Sequence, residues 1–115
     1  MAKPKGLEPP PGMGRGLMEK LARMQDEMKR VQDELGEERL TVSLGGEAVQ
    51  VVIDGQQRLH HIEITPEALA AAQQDVEMLQ DLLVVVVNTA LEQSQGLAAD
   101  RLQGLSAGLG LPSIG

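Results

Sequence analysis

The chain contains no cysteine, no Phe, Trp or Tyr, and only two histidines among its 115 residues. Without cysteine there is no disulfide framework, no Cys-ligated zinc and no thiol nucleophile. Without aromatic rings, a core must be assembled from Val, Leu, Ile, Met and Ala, so a domain this short lacks bulk and favours a second copy of itself as the missing half. The same absence removes the side chains on which unpaired bases usually stack, which disfavours single-stranded nucleic acid and RNA as ligands. No apolar run approaches the roughly 20 residues that span a bilayer, and no apolar signal core follows Met1. The expected location is therefore the cytoplasm, with no membrane partner.

Net charge is −7, and an acidic surface repels the phosphate backbone. The charge is unevenly spread, however. Through Arg30 the basic residues Lys3, Lys5, Arg15, Lys20, Arg23, Lys29 and Arg30 outnumber the acidic Glu8, Glu19, Asp26 and Glu27. From Val31 onward only Arg39, Arg58 and Arg101 are basic, and acids dominate. Such asymmetry fits a basic arm on an acidic body.

Pro4, Pro9, Pro10 and Pro11 with Gly6, Gly12 and Gly14 make residues 1–14 a tail unable to sustain a helix or ladder. From Arg15 to about Leu35 the apolar residues Leu17, Leu21, Met24, Met28, Val31 and Leu35 recur at alternating spacings of four and three, a heptad seam that ends at the helix stop Gly36. The seam suits packing on the chain's own sheet, an intermolecular coiled coil, or each along a different part of one helix. Glu19 with Arg23 and Asp26 with Arg30 stand at helix-stabilising (i, i+4) spacing, which offsets part of the basic charge.

Leu40, Val42 and Leu44 alternate with polar residues, as do Val49, Val51 and Ile53 after the turn at Gly45 and Gly46. Asp54-Gly55 is a hairpin signal leading to a third strand around Arg58 to Ile64, with Ile62 and Ile64 on one face. Thr65 before Pro66 and Glu67 caps a short helix to about Gln73. Asp75 caps a long one, in which Val76, Leu79, Leu82, Leu83, Val86, Val87, Ala90 and Leu91 keep helical spacing. The valine run Val84 to Val87 has strand propensity, but the cap and the flanking periodicity make it helix. A helix apolar all round is buried by two neighbours, so Leu79, Leu82, Leu83, Val86, Val87 and Ala90 are expected at a dimer interface, with Val84 to Val87 buried between chains. Helical spacing weakens past Gly96 toward Leu102, and residues 104–115 read as a flexible glycine-rich tail. The domain thus covers 15–103. The fold class is α+β: a long N-terminal helix, a three-stranded antiparallel meander, a short helix and a long C-terminal helix.

His60, His61 and Glu63 raise the question of a metal, since His61 and Glu63 share a strand face, but too few ligands accompany them for a zinc site. The serines, Ser94 included, lie in no nucleophile elbow, and Gly45-Gly46 lacks the lysine of a phosphate loop. No cofactor, small-molecule substrate or enzymatic activity is expected.

In order and spacing the chain resembles the YbaB/EbfC family over about Gly14 to Pro112. The matching points are Leu17-Met18 with Lys20, Met24-Gln25 and Met28, then Val51 to Gly55, Ile62-Glu63-Ile64 with Pro66, Glu77, Leu79 to Leu82, Asn88 with Ala90, and Leu111-Pro112. The resemblance implies an intertwined, tweezer-like homodimer whose first helices project as arms and bind duplex DNA with little sequence specificity in the bacterial nucleoid. Where the family commonly carries a basic cluster after the Asn-Ala signature, this chain has Leu91 to Gly96 and only Arg101 beyond. The DNA-binding candidates are therefore Lys3, Lys5, Arg15, Lys20, Arg23, Lys29 and Arg30. The alternative is a coiled-coil adaptor whose partner is another protein, offering Met13, Met18, Met24 and Met28 as adaptable apolar surface.

Overall fold

The structure is a computed structural model that describes residues 13–108, with side chains described for 14–105. Helix α1 (Met13–Glu37) leads into strands β1 (Leu40–Leu44), β2 (Val49–Ile53) and β3 (Leu59–Ile64), then helices α2 (Pro66–Ala72) and α3 (Val76–Gly108). The strands form one antiparallel sheet in the order β1-β2-β3. Val42 stands opposite Val51, and Val51 opposite Ile62. This is the expected α+β arrangement.

Both caps form as the residue types demand. Thr65 Oγ1 accepts from Ala68 N at 3.1 Å with Pro66 in the first turn, and Asp75 Oδ1 accepts from Met78 N at 3.1 Å. The valine run is helical throughout, because a cap upstream and an apolar face downstream outweigh the strand preference of β-branched residues.

The core is small and wholly aliphatic: Val42, Val49, Val51, Ile53, Val86 and Ala90 are buried together, flanked by partly buried leucines such as Leu40, Leu79 and Leu83. Alternation on β2 sends Val49, Val51 and Ile53 inward, and α3 lies across β1 and β2 to cover them. Strand β3 is left largely bare, with Leu59 and Ile62 exposed. The expected apolar face of β3 therefore exists but is not covered by the chain's own helix.

Several element boundaries differ from the sequence reading; helix α1 already begins at Met13, inside the stretch 1–14 read as a tail. The second hairpin is not a tight Asp-Gly turn: the loop Asp54–Arg58 closes through Asp54 N donating to Arg58 O at 2.9 Å, and Gln57 sits at φ 62°. Helix α3 also continues through Gly96 and Gly104 to Gly108, beyond the point where a tail was expected to begin. Its last turns run beside α1, where Arg101 and Leu105 border the same cleft as Val31. Tertiary packing there outweighs the helix penalty of about 1 kcal/mol for each glycine.

The inner half of α1 is fixed to the body at the Asp54–Arg58 loop. Gly55 N donates to Leu35 O at 2.7 Å and the Gln56 side chain donates to Gln32 O at 2.5 Å. Val31 and Leu35 are buried there. The heptad seam thus serves the chain's own fold along its C-terminal half only.

Candidate nucleic-acid interface

Helix α1 is 25 residues long, about 37 Å at 1.5 Å per residue. Its polar face carries Arg15, Lys20, Arg23, Lys29 and Arg30, all exposed. Lys3 and Lys5, the remaining basic candidates, lie outside the described residues. The five described candidates thus share one helix, with Arg39, Arg58 and Arg101 lying elsewhere.

Their availability to an anion differs. Arg30 is engaged on both sides, with Nη2 at 2.5 Å from Glu27 Oε2 and Nη1 at 2.7 Å from Glu34 Oε1. These hydrogen bonds, Glu27 first, hold its guanidinium above the ordinary arginine range. Asp26, the acid expected to pair with Arg30, is displaced in that role because Glu27 and Glu34 reach around the helix with one more methylene each. Arg23 lines the cleft between α1 and the end of α3, with Asp100 opposite. Arg101, the single basic residue of the C-terminal helix, is tied to Glu38 Oε1 at 2.7 Å. Arg15, Lys20, Arg23 and Lys29 make no ion pair among the described residues, so the Glu19–Arg23 pair expected from their spacing does not form.

The expected interface residues of α3 divide in two. Val86 and Ala90 are fully buried against the chain's own sheet, so they have no surface left to offer a partner. Leu79, Leu82, Leu83 and Val87 pack on the same core but remain partly accessible. Val84 and Val85 are exposed. The valine segment therefore has Val86 in the core, Val87 at its edge, and Val84 and Val85 outward.

The two histidines are accounted for separately. His60 Nε2 lies 2.8 Å from Asp54 Oδ2, whereas His61 and Glu63 are both mostly exposed and 4.0 Å apart. Asp54 is the one buried carboxylate among the described residues. Burial works against its charge, but hydrogen bonds from His60, Arg58 N and Gln56 N outweigh that and hold its pKa below the usual carboxylate range. Ser94, fully buried on α3, donates to Asp54 O at 2.6 Å and accepts from Gln57 N at 3.0 Å. This cluster joins α1, the sheet and α3, and nothing local in the sequence marked Ser94 for it.

A long helix with exposed cations on its outer part, mounted on a small mixed body, is the arrangement of a binding surface. The chain belongs to the YbaB/EbfC DNA-binding family, whose model matches residues 11–109. It is 39% identical over 98 residues to a "Nucleoid-associated protein" of Pelotomaculum thermopropionicum, covering 85% of this chain and 91% of that relative. A second "Nucleoid-associated protein", of Desulforamulus reducens, is 42% identical over the same shares. The fold is shared with an uncharacterized protein of Helicobacter pylori of known crystal structure, at a TM-score of 0.65 and 20% identity, covering 73% of this chain and 86% of that one. No helix among the described residues is long and apolar enough to cross a membrane.

Proposed function

We propose that this protein is a nucleoid-associated homodimer that binds duplex DNA through phosphate contacts with little sequence preference. The observation that carries the reading is the uneven charge: through Arg30 the exposed basic residues of α1 outnumber its acids Glu19, Asp26 and Glu27, while the remaining acidic residues lie mostly from Val31 onward, Asp33, Glu34 and Glu37 at the inner end of α1 included. Phosphate contacts position a protein on a duplex without reading bases. The lack of aromatic rings fits duplex over single-stranded ligands.

Dimerisation supplies a second arm. The uncovered strip formed by Ile62 of β3 and the outward side of α3, where Val84 is exposed and Leu83 and Val87 are partly so, suits the same strip of a second copy. Leu79 and Leu82 border it, with Val86 and Ala90 supporting it from below.

The reading is tested by gel-shift titration on unrelated duplexes across salt. With Lys3, Lys5 and Arg15 from two arms engaging about 4 to 6 phosphates, log K against log salt should have a slope of roughly −4 to −5. The Lys3→Ala, Lys5→Ala, Arg15→Ala triple variant should lose most binding on every sequence, while Arg30→Ala, whose charge is already matched by Glu27 and Glu34, should lose little. Binding by the triple variant equal to that of the parent, or no salt-sensitive binding by the parent, would overturn it.

A further inference from the structure

Among the described residues the outer half of the α1 seam is left mostly uncovered, with Met24 half-buried. Leu17 is 57%, Met18 67%, Leu21 47% and Met28 43% exposed, whereas Val31 and Leu35 on the same stripe are 5% and 1% exposed. A contiguous apolar stripe on a charged helix marks a contact surface. We propose that it is a second self-association face, on which the α1 arms of two protomers pair antiparallel, separate from the α3 and β3 strip and independent of DNA.

The register follows from the charges. Heptad spacing puts Leu21 and Met28 at a, Leu17 and Met24 at d, and Lys20 and Glu27 at g. A parallel pair would set Lys20 against Gln25 and Glu27 against Gln32, leaving both charges without an opposite. In an antiparallel pair, Leu21 layers on Met24 of the second copy and Leu17 on Met28. The flanking g positions then bring Lys20 of each chain to Glu27 of the other, so the stripe is complementary to itself about a two-fold axis. Lys20 makes no ion pair within the described chain. Glu27 can turn to it because Arg30 keeps Glu34 at 2.7 Å.

The overlap is short. It buries less than the roughly 1,200 Å² of a stable standard interface, so the pairing is weak and concentration-dependent. It would hold the two bodies apart, with Val31 of one chain about 26 Å along the axis from Val31 of the other at 1.5 Å per residue.

The chain's lack of cysteine makes single-cysteine variants clean probes. An equimolar mixture of Leu17→Cys and Met28→Cys proteins, treated with a short bismaleimide, should crosslink one variant to the other. Neither should crosslink alone, because like positions are about 16 Å apart along the axis in this register. In sedimentation equilibrium, Lys20→Glu and Glu27→Lys should each weaken formation of the larger species on the order of tenfold, since two symmetric pairs become repulsive together. Their mixture should restore it by exchanging the charges, with helix content unchanged by circular dichroism. Leu17→Cys crosslinking to itself, no crosslink in the mixture, or charge variants indistinguishable from the parent would overturn the proposal. Loss of all association, dimer included, in Lys20→Glu would also overturn it, by making the seam the primary interface.

Discussion

Replacing Gly55 with alanine tests whether the contact between α1 and the Asp54–Arg58 loop holds the molecule together. A Cβ at this position would stand 2.7 Å from Leu35 O, 2.8 Å from Leu35 Cδ2 and 3.0 Å from Leu35 Cβ. Two of these atoms belong to rigid or buried groups, the backbone carbonyl and the root of a side chain that is 1% exposed, so the neighbour cannot rotate away. The contact is relieved only by moving α1 off the loop, which also lengthens the 2.7 Å bond from Gly55 N to Leu35 O. Overpacking of a buried site costs about 1 to 3 kcal/mol, and loss of a backbone hydrogen bond about 1 more. The expected loss is thus about 2 to 4 kcal/mol, or on the order of 10 to 25 °C in melting temperature for a domain of this size. Urea unfolding followed by far-ultraviolet circular dichroism, at one fixed protein concentration, measures it. A change below about 0.5 kcal/mol, the scale of ordinary surface substitutions, would refute the reasoning and mean that the loop yields freely.

Gly96→Ala, by contrast, meets nothing within 4 Å on α3. It should raise stability by about 0.5 to 1 kcal/mol in the same assay through helix propensity alone; a decrease would indicate that the site is covered. Acid sensitivity should report Asp54. Because its folded pKa is depressed, its contribution is fully present above the unfolded value of about 3.9 and is lost as pH falls through the lower folded value. Urea midpoints recorded from neutral pH downward should therefore decline in that acid window. Asp54→Asn should lower the neutral midpoint and flatten the decline; a parallel curve displaced downward would assign the acid transition to other carboxylates.

Much of the architecture is legible because its signals are local. Thr65-Pro66 and Asp75 announce helix starts within a few residues, and the alternation in Leu40 to Leu44 and Val49 to Ile53 fixes which side chains enter the core. The basic residues of α1 were legible one by one, interleaved with acids at helical spacing. What periodicity could not supply was the identity of each neighbour. Val86 and Ala90 belong to the same apolar helix as Val84 and Val85, and only the placement of α3 over β1 and β2 decides which of them the sheet takes. Ser94 lies among polar residues and reads as solvent-facing, yet it is fully buried because the Asp54 carbonyl awaits it from a distant strand end. The helix beyond Gly104 was hidden for a similar reason, since its support comes from Val31 and its neighbours on α1.

The way α1 is mounted makes it a lever. Its fulcrum is the Leu35 carbonyl resting on Gly55, and Arg15 near the N-terminal end of the helix lies about 30 Å away at 1.5 Å per residue. A tilt of about 10° at the fulcrum would carry Arg15 through roughly 5 Å, more than the ~3.4 Å rise between successive phosphates of one DNA strand. Sub-ångström adjustments at a buried glycine are thus magnified into steps of a whole nucleotide at the tip, and the gauge of the molecule is set farthest from where it would be read.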